Sequence, residues 1–392
     1  MQDAPKQPAR CQPSLGRLFF SFLRLGITAF GGPAMIAHIR ELAVEKERWL
    51  DQKTFRDGMA LCQTIPGATA MQMAAYVGLW LRGVRGAIIG YLGFGLPAFL
   101  LMTVLSVLYA RSHALPAVVA AFSGLQAIIV VIVANAAISF GRSSLTTWQN
   151  GVVALMAAGL FGLAAHPVLI LILAALLSLL LNSGQPVAQQ TESRTHLPAA
   201  ILPLLFLLVA TAAGFALLAF FRSDLAQLAL LMARIDLIAF GGGFASVPLL
   251  FHEIVETRAW LDATTFLDGI ALGQLTPGPI VITATFVGYL LHGLTGAFIA
   301  TVAMFLPSLL LLIGTAPYFA RLCAAPLFKR GVDGVLCSFV GLLCTVTIRL
   351  GLHVHWDWPH LLLAGAAFAA LLKKVDLLWV VLAGAVVAML VF

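Results

Sequence analysis

Two short stretches of this chain carry residue types that can handle a charged guest. Gln63-Thr64-Ile65-Pro66-Gly67 and Gln274-Leu275-Thr276-Pro277-Gly278-Pro279 each set an amide side chain one turn before a Pro-Gly stop. Pro-Gly ends one helix, and a proline such as Pro279 suits the first position of the next. A restarted helix presents unpartnered N–H groups and about half a positive charge at its start. That is the chemistry of an anion site. Gln63, Gln274 and Thr276 would add hydrogen bonds. The competing reading is a structural kink whose glutamine bonds across to a neighbouring helix.

A second pair precedes the first. Phe30-Gly31-Gly32-Pro33 is answered by Phe240-Gly241-Gly242-Gly243. Glycine inside a helix costs about 1 kcal/mol relative to alanine, and proline about 3 kcal/mol. Paired glycines therefore mark either close helix packing or a broken helix lining a pathway, and both readings stay open. Charged residues stand nearby. Arg24 lies six residues before Phe30, and Asp236 four before Phe240. Ionisable groups within membrane segments are rare and usually functional, although snorkelling from a segment end competes for both. Asp57 and Asp268 open the segments that end in Pro-Gly. Helix capping is favoured over proton coupling for these two.

Other chemistry is thin. His252-Glu253 lacks a second histidine four residues on, so no zinc-protease motif forms. His353, His355 and Asp357 sit beside Trp356 and Trp358, where an aromatic interface belt fits better than a metal. No P-loop or cofactor motif is present. The cysteines, Cys11, Cys62, Cys323, Cys337 and Cys344, form no CxxC pair and read as small apolar residues.

The elements that must hold these residues are membrane helices. Of 392 residues, 61% are hydrophobic and only 10% charged, and mean hydropathy is +1.00. So little charge cannot cover a water-facing surface, which excludes a soluble enzyme, a disordered chain and a nucleic-acid binder. The net charge of +7 reflects scarce acids and membrane topology. An all-α polytopic membrane protein follows, since strand alternation of the barrel type is absent. Hydropathy predicts thirteen spans, near 17–38, 58–81, 86–110, 116–140, 150–165, 167–182, 198–221, 230–251, 267–291, 294–314, 330–349, 359–372 and 375–392. Residues 1–16 form a polar tail without an apolar signal region. Residues 183–197 read as a polar linker between a first repeat, 17–182, and a connecting helix, 198–221. A second repeat covers 222–392.

The two repeats are copies. Trp49–Gly67 and Trp260–Gly278 agree at twelve of nineteen positions, among them Trp, Asp, Gln and Pro in order. Gly83, Gly86 and Pro97 are answered by Gly293, Gly296 and Pro307 at an offset of 210. Transporters are the membrane proteins most often built this way. Six spans per copy plus the connecting helix displace the second copy by an odd number of crossings, which inverts it. The Lys/Arg split between the two sides is weak on this count, because Arg40, Lys46, Arg48, Lys53 and Arg56 fall in one outer loop. A re-entrant 58–81, dipping at Pro66-Gly67 and returning, would place that loop and Arg82/Arg85 on one side and change the parity argument.

Few carboxylates and several positive helix ends favour an anion. Two half-helix N-termini together give about +1, and Arg24 would add to that if it faces inward. A divalent oxyanion would then be nearly neutralised. A dianion leaving a negative interior gains roughly 4.6 kcal/mol per 100 mV, so export needs no coupling ion.

The motifs LGITAFGGP (25–33), WLDQKTFRDGMALCQTIPG (49–67) and FGGGFASVPLL with WLDATTFLDGIALGQLTPGP (240–279) resemble the chromate ion transporter family in its long, two-domain form. The resemblance covers about 15–390. It implies a bacterial inner-membrane protein that exports chromate, a tetrahedral dianion like sulfate, through two halves facing opposite ways. It also implies that Phe30, Gly31, Gly32, Pro33, Pro66, Gly67, Gly241, Gly242, Gly243, Pro277, Gly278 and Pro279 matter for transport. One departure stands out: Ala68 replaces the second proline of the first Pro-Gly-Pro. Sulfate or another oxyanion is the main alternative substrate. A membrane-embedded enzyme or a passive scaffold fits less well. No cofactor, metal or nucleic acid is called for, and homo-oligomerisation is left open.

Overall fold

A computed structural model describes residues 13–30, 32–112, 115–182, 201–319 and 325–392, without the side chains of 32–34. Among the described residues all regular structure is helical.

The chain doubles back at each of the motifs singled out above. Helix α1 (Leu15–Thr28) starts at a Ser14 cap and stops before Phe30. Helix α2 (Gly32–Arg40) and a π-turn at Glu41–Lys46 follow. Arg17 Nη2 meets Glu47 Oε2 at 2.7 Å, and the rings of Phe22 and Trp49 lie 6.4 Å apart. One straight helix would separate residues 17 and 47 by about 45 Å, so the chain returns beside α1. Helix α3 (Gln52–Thr64) then runs in to extended residues at Ile65–Ala68, and α4 (Thr69–Ser112) leaves them. Gly58 of α3 abuts the Tyr76 ring of α4, and Tyr76 OH reaches the Thr54 carbonyl at 3.4 Å. Helix α3 and the arm 69–81 are therefore antiparallel neighbours, with Pro66-Gly67 at their shared tip. At Arg82-Gly83, where Gly83 takes φ +62°, α4 reverses again. Gly78 then lies directly on Gly86, a backbone approach that only paired glycines permit. The arm 84–112 is the first long crossing.

The second half repeats every step. Helix α9 (Ser223–Ile238) breaks at Ala239–Gly242, and α10 (Ser246–Phe251) with a π-turn at His252–Thr257 follows. Helix α11 (Ala263–Leu275) and α12 (Thr283–Thr315) flank the second Pro-Gly, with Gly269 against Phe286 and Gly273 against Thr283. Helix α12 reverses at His292-Gly293, φ +63°. The predicted spans 17–38, 58–81, 230–251 and 267–291 are thus corrected. None is a continuous span, because each contains a glycine or proline break where apolar composition alone suggests one helix.

The other spans fall on α5 (Pro116–Ser144), α6 (Trp148–Gly162), α7 (Pro167–Leu181), α8 (Ile201–Phe221), α13 (Pro326–Leu352), α14 (Trp358–Leu372) and α15 (Leu377–Val391). Packing here is exchanged between halves. Helix α13 lies on α6 and α7, while its counterpart α5 lies on α14 and α15. Five helices among the described residues are long and apolar enough to cross a membrane. Large apolar side chains such as Phe20, Leu155, Phe206, Leu362 and Leu390 are exposed, and α8 buries none of its residues. This outer surface suits lipid and not water. The chain is a multi-pass membrane protein. The predicted linker 183–197 and most of the N-terminal tail lie outside the described residues.

The long arms of α4 and α12 meet at the centre. Tyr91 OH donates to the Phe305 carbonyl at 2.7 Å, and Phe99 meets Phe298 edge-on at 6.3 Å. Numbers rise along one arm as they fall along the other, so the arms are antiparallel and the turns at Gly83 and Gly293 lie at opposite ends. Arg82 Nε donates to the Pro13 carbonyl at 2.7 Å, which fixes the start of α1 at the Gly83 end. His292 Nδ1 stands 3.5 Å from Asp224 Oδ2, which fixes the start of α9 at the Gly293 end.

Candidate functional site

The two Pro-Gly tips converge on the crossing arms. Gly67 lies against Ser308 of α12, and a Cβ on Gly278 would stand 2.8 Å from Ala98 Cβ of α4. Ala98 and Ser308 are equivalent positions, each just after a helix proline, Pro97 or Pro307. Each half therefore seats its tip on the other half. The first tip also bonds to the second glycine pair, with Gly67 N donating to the Ala239 carbonyl at 2.9 Å. Gly242 faces Thr69 Oγ1, and Gly243 faces Ile280 and Val281. The second Phe-Gly-Gly thus lies between the restarts of both broken helices. Gly67, Gly241, Gly242 and Gly278 have φ of 113°, 94°, 97° and 131°, a region that side-chain-bearing residues rarely enter.

The buried polar groups around the tips are unevenly paired. Gln72, fully buried, donates Nε2 to the Pro66 carbonyl at 2.6 Å and leaves Oε1 without a partner among the described residues. Gln274, also buried, leaves Nε2 without a partner among the same residues. An unpaired buried amide is costly and uncommon. No side chain caps the restart at Ile280. Thr276 Oγ1 is already committed to the Gly273 carbonyl at 2.8 Å. Asp236, 1% exposed, accepts the Ser308 N–H at 2.7 Å, and Tyr91 OH stands 3.2 Å from Ser308 Oγ. No cation pairs with Asp236 among the described residues.

Several predicted residues lie elsewhere or differ from their counterparts. Gln63 is exposed where Gln274 is buried. Arg24 is exposed on α1 without an acidic partner among the described residues, whereas its counterpart Arg234 stands 3.7 Å from Glu253. Phe30 is half-buried, Gly32 and Pro33 open α2, and Gly31 lies outside the described residues. Pro66, Pro277 and Pro279 are buried at the tips. The capping expected of Asp57 and Asp268 is corrected. Asp51 and Asp262 cap α3 and α11, six residues earlier. Asp268 is buried and held by Tyr109 OH at 2.9 Å and Gln126 Nε2 at 2.8 Å, while Asp57 is half-exposed. His353 turns to the Arg349 carbonyl while Asp357 caps α14, so the His353/His355/Asp357 run does not converge. Gln72, Tyr91 and Ser308 were not singled out from sequence. The repeated Pro97 and Pro307 were the available signal, since each marks the place where a tip sits.

The family model for chromate transporters matches the chain twice, over residues 16–179 and 226–389. The chain belongs to the chromate transporter family. Within it, an uncharacterized transporter of Methanocaldococcus jannaschii is 40% identical over 390 residues, covering 98% of this chain and 96% of that protein. A chromate transport protein of Cupriavidus metallidurans is 31% identical over 92% of this chain and 88% of its own length. One from Pseudomonas aeruginosa is 32% identical over 100% and 95%. No solved structure matches.

Proposed function

We propose that this chromate transporter family member carries a tetrahedral oxyanion, chromate first, out of the cell between its two Pro-Gly tips. The observation that carries this reading is the seating of both tips on equivalent positions of two antiparallel arms, with one buried amide donor, Gln274 Nε2, left unpaired beside the second tip among the described residues. Broken segments at matching places in two halves are the expected form of a transporter's central site. Relatives named chromate transport proteins support chromate. Sulfate is the related anion to test beside it.

The antiparallel arms support an inverted repeat, with residues 17–182 and 222–392 as its units and 198–221 as the connecting helix. Sidedness follows from charge. Arg40, Lys46, Arg48, Lys53, Arg56, Arg82 and Arg85 all belong to the Gly83 end once the chain doubles back. Arg111, Arg222, Arg234, Arg258 and Arg349 belong to the other, the last three of them in ion pairs with Glu253 and Glu256. The basic end faces the cytoplasm of a plasma membrane. Because α3 and the arm 69–81 return to one side, a bias that is weak on a thirteen-span count becomes strong. Export of a dianion runs down the membrane potential. Asp236 shares Ser308 with the first tip, which supports assigning any coupling of anion and proton to it among the three carboxylates.

Binding is read by thermal unfolding of the purified protein in detergent. Chromate raises Tm in a saturable way, sulfate competes, and nitrate does neither. Equal shifts from all three anions would remove the oxyanion site.

A further inference from the structure

The two halves are alike in sequence and fold but not in how tightly they are clasped. In the second half, α11 packs on α5 and α15, and α10 packs on α13. The corresponding first-half pairs would be α3 on α13 and α7, and α2 on α5. Among the described residues these make no comparable contact. The consequence is visible along α3, where Lys53, Arg56 and Gln63 are exposed. Their α11 counterparts beyond the first turn, Leu267 and Gln274, are buried.

The tight end carries a charged cluster with no counterpart at the loose end among the described residues. Glu256, in the π-turn after α10, receives Arg349 from α13 and lies 2.9 Å from His252 Nδ1. Arg349 also donates to the Phe161 carbonyl at 2.7 Å and lies 5.0 Å over the Phe161 ring, at the end of α6. Glu253, with its side chain 8% exposed, pairs with Arg258 and Arg234. The cluster therefore ties the layer bearing the glycine breaks (α9 to α12) to the layer of α6 and α13. In the first half, Glu41 pairs with Lys46 and His38 and Glu45 with Arg40, all on their own segment and all well exposed, and among the described residues neither reaches another helix layer.

We propose that the Glu256–Arg349 pair, with Glu253, Arg234 and Arg258 behind it, is the lock that holds the Gly293 end shut. The structure is then the state open toward the Gly83 end. The exchange that opens the Gly293 end breaks this lock and lets α2 and α3 close on α5, α13 and α7, the contacts that the repeat relationship makes equivalent. Ion pairs suit the task because they are strong while dry and weaken steeply once water enters. The inference rests on the transporter reading for its purpose, but not for its test.

Paired spin labels on Leu352→Cys in α13 and Leu294→Cys in α12, placed in full-length protein in lipid nanodiscs on a background without native cysteines, read the separation at the Gly293 end with no anion present. Both R349Q and E256Q should shift the distance distribution to longer values than the unsubstituted pair. E45Q, at the other end, should not. Unchanged distances in both R349Q and E256Q, or an equal shift in E45Q, would overturn the lock. A shift confined to R349Q and E256Q, in a protein that moves no oxyanion, would keep the lock and remove the transport reading.

Discussion

The backbone N–H of Gly67 donates to the carbonyl of Ala239 at 2.9 Å, joining the first half's Pro-Gly tip to the glycine break of the second. That bond commits one tip to the opposite half. It also places the N-terminus of the arm 69–81 beside the glycine break of the other half.

Gly67→Leu and Gly278→Leu should abolish transport while leaving membrane insertion intact. Both positions have φ well inside the positive region, and a Cβ at Gly67 would meet Ser308 and Gln72. A left-handed conformation costs a side-chain-bearing residue about 1–2 kcal/mol, enough to displace a tip without unfolding the chain. Loss of chromate resistance at unchanged membrane abundance checks this. Full resistance in either variant would take that tip out of the site.

Gln274→Leu should separate stability from function. The wild-type amide leaves Nε2 buried and unpaired, a burden of about 1–3 kcal/mol. The leucine variant should melt at an equal or higher temperature yet lose most chromate-induced stabilisation. A variant that melts lower and binds normally would show that the amide has a structural partner instead of a guest.

Asp236→Asn keeps the shape and the Ser308 bond but fixes the site one charge more positive whenever the carboxyl would be ionised. It should bind chromate at least as well as wild type and lose any dependence of transport on the proton gradient. An Asn variant with unaltered proton dependence would assign coupling elsewhere.

Acid at the Gly293 end should loosen the lock. His166 caps α7 and bonds Arg234 of the cluster; burial, and then Arg234 beside it, hold it below the ordinary histidine range, while Glu253 opposes this and His252 adds to it. A lowered value means that the closed form resists protonation. The closed state is therefore unaffected above the ordinary histidine pKa of about 6.5 and loses stability as pH falls below it. Label distances at Leu352 and Leu294 measured from pH 7.5 to 5 (roughly the span over which histidine titrates) should lengthen on the acid side. His166→Gln should flatten that response.

Much of this was legible in the residues. The duplication and the helix stops at Pro-Gly needed no coordinates, because Pro and Gly act locally. What sequence could not show was direction. Fifteen apolar residues look the same whether the helix continues through a break or turns back from it. Only contacts such as Gly58 with Tyr76 and Gly78 with Gly86 decide. The same limit hid the contrast between Gln63 and Gln274, which occupy one motif position but opposite environments. Gln72 had no motif to mark it. Its role depends on the fold of Pro66, whose carbonyl it holds.

The most direct test of the central claim is uptake of labelled chromate by everted membrane vesicles, with and without an imposed membrane potential. Uptake should rise with a lumen-positive potential, collapse when an ionophore removes it, fall when sulfate competes, and vanish with Gly67→Leu. Chromate entry that ignores the potential, or no entry into vesicles that hold folded protein, would contradict the account.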